Sequence, residues 1–188
     1  MSELPKTFMD FCAGIGGGRL GLEKAGLECV AFSEINKEAE RTYRLIHNAE
    51  HERNFGDLTL INASDLPDFD LMIAGFPCQT FSVMGEQKGF EDDRGQIIFY
   101  LRDILVAKNT PYFILENVKG LVSHDKGRTL KIIIRTLEDS GYNVHYKVLN
   151  SRDYGVPQMR ERVYIVGVRK DIKAKSFFEW AEKMLTVH

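Results

Sequence analysis

The sequence predicts an α/β fold: a Rossmann-like, mainly parallel sheet with an antiparallel strand near the C-terminus. Three observations carry this. Short apolar runs alternate with amphipathic helical segments, the pattern of a parallel sheet with crossover helices. A glycine-rich turn follows the first apolar run directly. The last two apolar runs follow one another with no helical segment between them, which requires one of them to reverse direction.

The elements follow in order. Thr7–Cys12 reads as a strand, and Gly14 to Gly18 as a tight turn. Arg19–Ala25 reads as a helix stopped by Gly26. Glu28–Ser33 is a second strand, and Lys37–His47 a helix with Asn36 as its cap. Phe55-Gly56 closes a short third strand, and Phe69–Ala74 forms the next. Phe76–Asp93 is a long polar loop with Gly85 and Gly89, the composition of a functional lid. Gln96–Ala107 carries Ile97, Ile98, Leu101, Ile104 and Leu105 on one helical side. Tyr112–Leu115 is a strand, and Arg128–Leu137 a helix before Gly141. Tyr142–Leu149 and Arg162–Val168 are the final strands, and Phe177–Leu185 has helical character. Residues 1–170 are expected to form one domain, with 171–188 as a tail.

Composition excludes several classes. The 188 residues suffice for one domain with a real core. A net charge of -2 is not that of a general polyanion binder. Charge is uneven, however: Ser151–Ser176 holds seven basic residues (Arg152, Arg160, Arg162, Arg169, Lys170, Lys173, Lys175) against three acids. That excess suits either a phosphate-facing surface or a solvated face. Cys12, Cys29 and Cys78 form no CxxC pair and, being odd in number, no disulfide framework, which predicts an intracellular setting. No apolar run approaches membrane-spanning length, so no membrane partner is expected.

Candidate site residues gather at strand ends, where open α/β sheets bind ligands. Gly16-x-Gly18-x-x-Gly21 matches the dinucleotide fingerprint, and Glu34 ends the second strand at the spacing of an acid that holds ribose hydroxyls. Together they predict an adenosine-containing cofactor, either NAD or S-adenosylmethionine. Asp57 suits a bond to an adenine amino group and reads equally as a plain turn aspartate. Cys78 follows Gly75-Phe76-Pro77 at the exit of an apolar run, an unusual place for a core cysteine and a suitable one for a nucleophile. Cys12 and Cys29 lie within strands and read as packing. Glu116 ends a second apolar run, where desolvation favours a proton-donating carboxyl. Arg160 and Arg162 alternate onto one face and suit a phosphate, a carbonyl oxygen or Glu116. His47 and His51 stand four apart but lack an intervening acid and a third ligand, so they read as solvent-facing helix residues and no metal site is expected.

The ordered set Asp10-Phe11-Cys12-Ala13-Gly14-Ile15-Gly16-Gly17, Glu34, Asp57, Gly75-Phe76-Pro77-Cys78-Gln79, Glu116-Asn117-Val118 and Gln158-Met159-Arg160-Glu161-Arg162 resembles the DNA (cytosine-5) methyltransferases of bacterial restriction–modification systems. The resemblance implies the S-adenosylmethionine-dependent methyltransferase fold, with S-adenosylmethionine rather than NAD as cofactor and S-adenosylhomocysteine as product. It implies that Phe11, Ala13, Gly14, Ile15 and Gly17 line the cofactor pocket. Glu34 then holds the ribose, Ile35 packs on the adenine, and Asp57 with Leu58 reaches the adenine edge. Pro77 and Ile97 complete the contacts.

The resemblance also implies the chemistry. Cys78 adds to cytosine C6, Glu116 engages N3 and the exocyclic amine, Arg162 sits near O2, and Arg160 supports the pocket. Double-stranded DNA is the implied substrate, with the target base flipped out of the stack. Family members continue past the arginine motif into a target-recognition domain and a final helix, and no segment here matches them. The expectation is therefore a truncated enzyme or the catalytic subunit of a split one, with a second subunit reading the DNA. A non-catalytic cofactor-binding or partner-binding module and an RNA cytosine-5 methyltransferase are the competing readings. Gly18 departs from the family, which often has an aromatic or larger residue there.

Overall fold

The computed structural model describes residues 4–77 and 97–172. The strands are β1 (Thr7–Phe11), β2 (Glu28–Ser33), β3 (Leu71–Gly75), β4 (Tyr112–Val118), β5 (Tyr142–Asn150) and β6 (Glu161–Arg169). The helices are α1 (Gly17–Lys24), α2 (Lys37–His47), α3 (Ile97–Ala107) and α4 (Arg128–Asp139). Among the described residues the strands form one sheet in the order β2-β1-β3-β4-β6-β5. β1 pairs in parallel with β2 and β3, and β3 with β4. β6 runs antiparallel to both β4 and β5, so it alone is reversed. The sheet is therefore the mainly parallel one expected, with its single antiparallel strand near the C-terminus.

Alternation along the strands builds two apolar layers. Phe8, Leu71 and Ile73 point to one side, where Leu22 and Leu27 pack on them. Met9, Phe11, Met72, Ala74, Phe113 and Leu115 point to the other, against α3 and α4. α3 presents Ile98, Leu101, Ile104 and Leu105, all buried, at helical spacing. Each such side chain contributes roughly 1.5–3 kcal/mol when fully buried. α4 contributes Leu130, Ile133 and Leu137 in the same way. The cap of α2 is the one expected: Asn36 Oδ1 accepts from the backbone N–H of Glu38 and of Ala39 at 3.0 Å each.

Several elements differ from the expectation. No third strand forms at Phe55-Gly56; Asn54 makes an isolated parallel bridge to Phe32, and Asp57 caps a 3₁₀ turn at Leu58–Leu60. Phe55 N still donates to Phe32 O as in a strand, but the next amide, Gly56 N, turns to Asn54 Oδ1 and ends the ladder. β4 runs on to Val118, carrying Glu116 and Asn117 inside the strand, because β6 continues to pair with it. α2 stops at His47, where Asn48 turns left-handed (φ 51°), so His51 is not on that helix and the four-residue spacing does not place the two imidazoles together. His47 is not solvent-facing either, since its side chain is 2% exposed. The lid at Phe76–Asp93, from Cys78 onward, and the helical stretch Phe177–Leu185 lie outside the described residues. Among the described residues no helix is long and apolar enough to cross a membrane, and no group of three or more His, Cys, Asp or Glu could hold a metal ion.

Candidate active site

The chain leaves β1 toward β2 on one side and returns to β3 on the other. Their carboxyl ends therefore open a crevice at the point where strand order reverses. A cavity of about 520 Å³ fills it. Glu34, just past β2, is held in it by hydrogen bonds. Its Oε2 accepts from Gly14 N at 2.7 Å and its Oε1 from Asn36 N at 2.7 Å. Asn54 fixes the backbone behind it, accepting from Glu34 N at 3.0 Å and donating to Glu34 O at 2.9 Å. Each carboxylate oxygen thus has one N–H partner and keeps acceptor capacity for a further donor. The pair is suited to two adjacent hydroxyls.

On the facing wall, Asp57 Oδ1 accepts from Thr59 N at 2.9 Å and Thr59 Oγ1 at 2.8 Å. Ile35, Leu58, Pro77 and Ile97 supply apolar lining. An acid for a diol, an acid for an exocyclic amine and an apolar slot between them fit an adenosine, and the volume lies within the usual range for small-ligand pockets.

A second cluster borders this cavity. In register, Gly75 of β3 stands beside Glu116 of β4, and a Cβ on Gly75 would lie 3.7 Å from Glu116 Oε2. Gly75 also lines the cavity. Glu116 Oε1 is 2.8 Å from Arg162 Nε and 3.8 Å from an Arg160 Nη. Of the partners open in the sequence for these arginines, the described residues thus provide the carboxylate. Arg160 precedes β6 rather than lying in it and is half exposed. Tyr164, paired with Glu116 across the sheet, has its phenol pushed above the usual range by burial and by the Glu116 charge.

The cofactor candidates separate into two groups. Glu34, Ile35, Asp57, Leu58, Pro77 and Ile97 line the cavity together. Phe11 is fully buried and packs edge-on against Phe69, while Cys12, one residue later, turns left-handed (φ 50°) and lines the cavity in its place. Gly14 reaches the site through its N–H to Glu34, Ala13 N donates to Ser33 O at 3.0 Å, Ile15 is 55% exposed, and Gly17 opens α1. Cys78 lies outside the described residues. Burial foremost, then Glu34, Asp10 and Asp57, push the Cys12 thiol up to about 12, which disfavours a thiolate there. Cys29 is pushed up to about 12 as well, mainly by burial.

Two residues that sequence reasoning left without a role prove structural to the site. Asn117, 2% exposed, donates from Nδ2 to Phe76 O at 2.9 Å and accepts from Val118 N at 2.8 Å. It ties the turn ahead of Cys78 to the strand that carries Glu116. Its place beside Glu116 in the motif was the available signal. Asn54 had none, because its role depends on chain packing after α2. The departure at Gly18 also has a physical partner: a Cβ there would meet Ile73 Cδ1 at 2.5 Å, so Ile73 fills the space a larger residue would need.

Residues 6–187 match the family model for C-5 cytosine-specific DNA methylases. The chain belongs to the C-5 cytosine-specific DNA methylase family. It is 48% identical over 174 residues to the orphan methyltransferase M.Rho11sI of Bacillus phage rho11s, covering 92% of this chain and 34% of that protein. It is 44% identical over 170 residues to the type II methyltransferase M.HhaI of Haemophilus parahaemolyticus, covering 90% and 51%. The fold is shared with a DNMT2 variant from Spodoptera frugiperda, with TM-score 0.75 and 23% identity over 95% of this chain and 54% of that one. This methylase-family chain thus spans between a third and a half of the length of the curated relatives it matches.

Proposed function

We propose that this chain carries the catalytic half-site of a DNA (cytosine-5) methyltransferase, which methylates C5 of a flipped cytosine in double-stranded DNA. One observation supports this above the others: Gly75 is at once a wall of the Glu34–Asp57 cavity and the register neighbour of Glu116, so cofactor and base are met on one rim. The family's bacterial and phage members support the choice of DNA.

S-adenosylmethionine, when bound, supplies an electrophilic methyl group. Glu34 holds its ribose, Asp57 its adenine edge, and Ile35, Leu58, Pro77 and Ile97 exclude water from its ring. The thiolate of Cys78 forms a bond to cytosine C6, and the ring electrons move toward N3. Glu116 donates a proton or hydrogen bond at N3, leaving C5 electron-rich. Arg162 orients Glu116 and offers a donor toward the base carbonyl, and Arg160 reinforces the pair. After C5 has been methylated, loss of its proton to water expels the Cys78 thiolate, N3 returns its proton to Glu116, and the aromatic ring is restored. We assign the choice of DNA sequence to a recognition module outside these 188 residues.

The test is incubation of the chain with methyl-labelled S-adenosylmethionine and mixed-sequence duplex DNA, followed by nucleoside analysis. Label in 5-methylcytosine, lost on Cys78→Ala, is the expected result. Label at another atom, or transfer that survives Cys78→Ala, overturns the reading.

A further inference from the structure

Behind the cavity, on the α1 side of the sheet, one buried guanidinium gathers partly exposed carboxylates in a polar chain that the chemistry above does not use. Arg19, in the first turn of α1, is 4% exposed. Its Nη1 and Nη2 stand 2.5 Å and 2.8 Å from the two carboxylate oxygens of Glu52. Its Nε donates to Glu23 Oε1 at 2.7 Å, and Nη1 to the Tyr43 hydroxyl at 3.3 Å. Glu23 Oε2 in turn lies 3.7 Å from His47 Nδ1, and the other imidazole nitrogen is 3.2 Å from Ile15 O in the glycine turn.

Glu52 precedes Asn54 by two residues, and Asn54 accepts from both Glu34 N and Gly56 N. The Arg19–Glu52 fork therefore joins the helix that begins at the glycine turn to the loop that carries Asn54, Gly56 and Asp57. The loop lines the cofactor cavity with Gly56 and Asp57, and the glycine turn reaches it through Gly14 N, which donates to Glu34 Oε2 of the lining. A buried ion pair contributes little net stability, because desolvation offsets most of the attraction. What a bidentate guanidinium–carboxylate fork does supply is fixed distance and orientation.

We propose that Arg19 is a positioning residue for the cofactor: through Glu52 it sets the spacing between the glycine turn and the Asn54–Asp57 loop. This rests on reading the cavity as the S-adenosylmethionine site.

The experiment measures S-adenosylhomocysteine affinity by calorimetry and amide hydrogen exchange of the ligand-free chain, for wild type, Arg19→Lys, Glu52→Gln and the double variant. Thermal melting is recorded alongside. Arg19→Lys keeps the charge but loses the fork. It should melt near wild type, exchange faster at Asn54–Thr59, and bind about tenfold more weakly, with the double variant no worse than either single one. Wild-type exchange and affinity in Arg19→Lys and Glu52→Gln overturn the proposal. So do losses that add in the double variant, or that only track melting temperature. If the wild-type chain binds no S-adenosylhomocysteine, the cofactor reading falls first and this inference with it. If wild type binds and Glu34→Ala weakens it while Arg19→Lys does not, only this inference falls.

Discussion

Arg162 Nε stands 2.8 Å from Glu116 Oε1, on neighbouring antiparallel strands whose register pairs Glu116 with Tyr164 and Val118 with Arg162. The contact is a product of the one reversed strand in the sheet. Because β6 returns against β4, the arginine motif far along the chain is delivered to the carboxylate at the end of the parallel strands. A parallel β6 would have carried Arg162 to the opposite edge.

Glu116→Gln keeps the shape of this cluster and removes its acid. The single-turnover rate of methyl transfer should fall by about 10²–10⁴-fold, the range for general acid–base catalysis. Cofactor affinity should stay within about twofold of wild type, since Glu116 is not among the groups assigned to the cofactor. An unchanged rate removes Glu116 from the chemistry.

Glu34→Ala deletes the acceptor of the Gly14 and Asn36 amides and the group assigned to the ribose. Hydrogen bonds to a charged group are worth about 1.5–3 kcal/mol each. Calorimetry should therefore show S-adenosylmethionine binding weakened at least tenfold. Undiminished affinity would move the ribose site elsewhere.

Much of this was legible in the residues, and the exceptions have causes. The strand–turn–helix order, the Asn36 cap and the reversal near the C-terminus are local or near-local signals, and they hold. The motif assigns Phe11 to the pocket and Cys12 to the strand, because a motif does not say where its strand stops. β1 ends at Phe11, which stays in the core, and the next residue turns into the cavity. His47 reads as exposed from helix spacing alone, yet Glu23 and the Ile15 carbonyl, from distant segments, enclose it. The loop at Asn54–Asp57 reads as a strand from its apolar Phe55, whose N–H does bond Phe32 O, but the Asn54 side chain takes the next amide, Gly56 N. Long-range partners of this kind leave no periodicity to find.

Asn117→Asp tests the tie between Phe76 and β4. The carboxylate still accepts from Val118 N but can no longer donate to Phe76 O, leaving two buried acceptors face to face. Chemical denaturation should show a loss of about 1–3 kcal/mol. The methyl-transfer rate should drop with little change in cofactor affinity. Full stability would mean that the hydrogen bond does not hold the turn.

Asp10, on β1, gives the protein a pH signature. Its carboxyl is 3% exposed, its Oδ2 has no hydrogen-bond partner among the described residues, and burial foremost raises its pKa well above the usual carboxylate range. The folded state thus keeps a proton that the unfolded chain releases near pH 3.9. The contribution of Asp10 to stability is fully present below that pH and is lost as pH rises through the folded value. Asp10→Asn should therefore gain stability over wild type at pH 7, with the advantage fading toward pH 4. A difference that does not change with pH would contradict this.

A duplex containing 5-fluorocytosine tests for a covalent bond between Cys78 and cytosine C6 during transfer. Fluorine at C5 cannot leave as a proton, so the thiolate cannot be expelled once C5 is methylated. A denaturation-resistant protein–DNA adduct that forms only with S-adenosylmethionine and maps to Cys78 is the expected result. An adduct on Cys12 or Cys29, or none while ordinary cytosine is methylated, would contradict it.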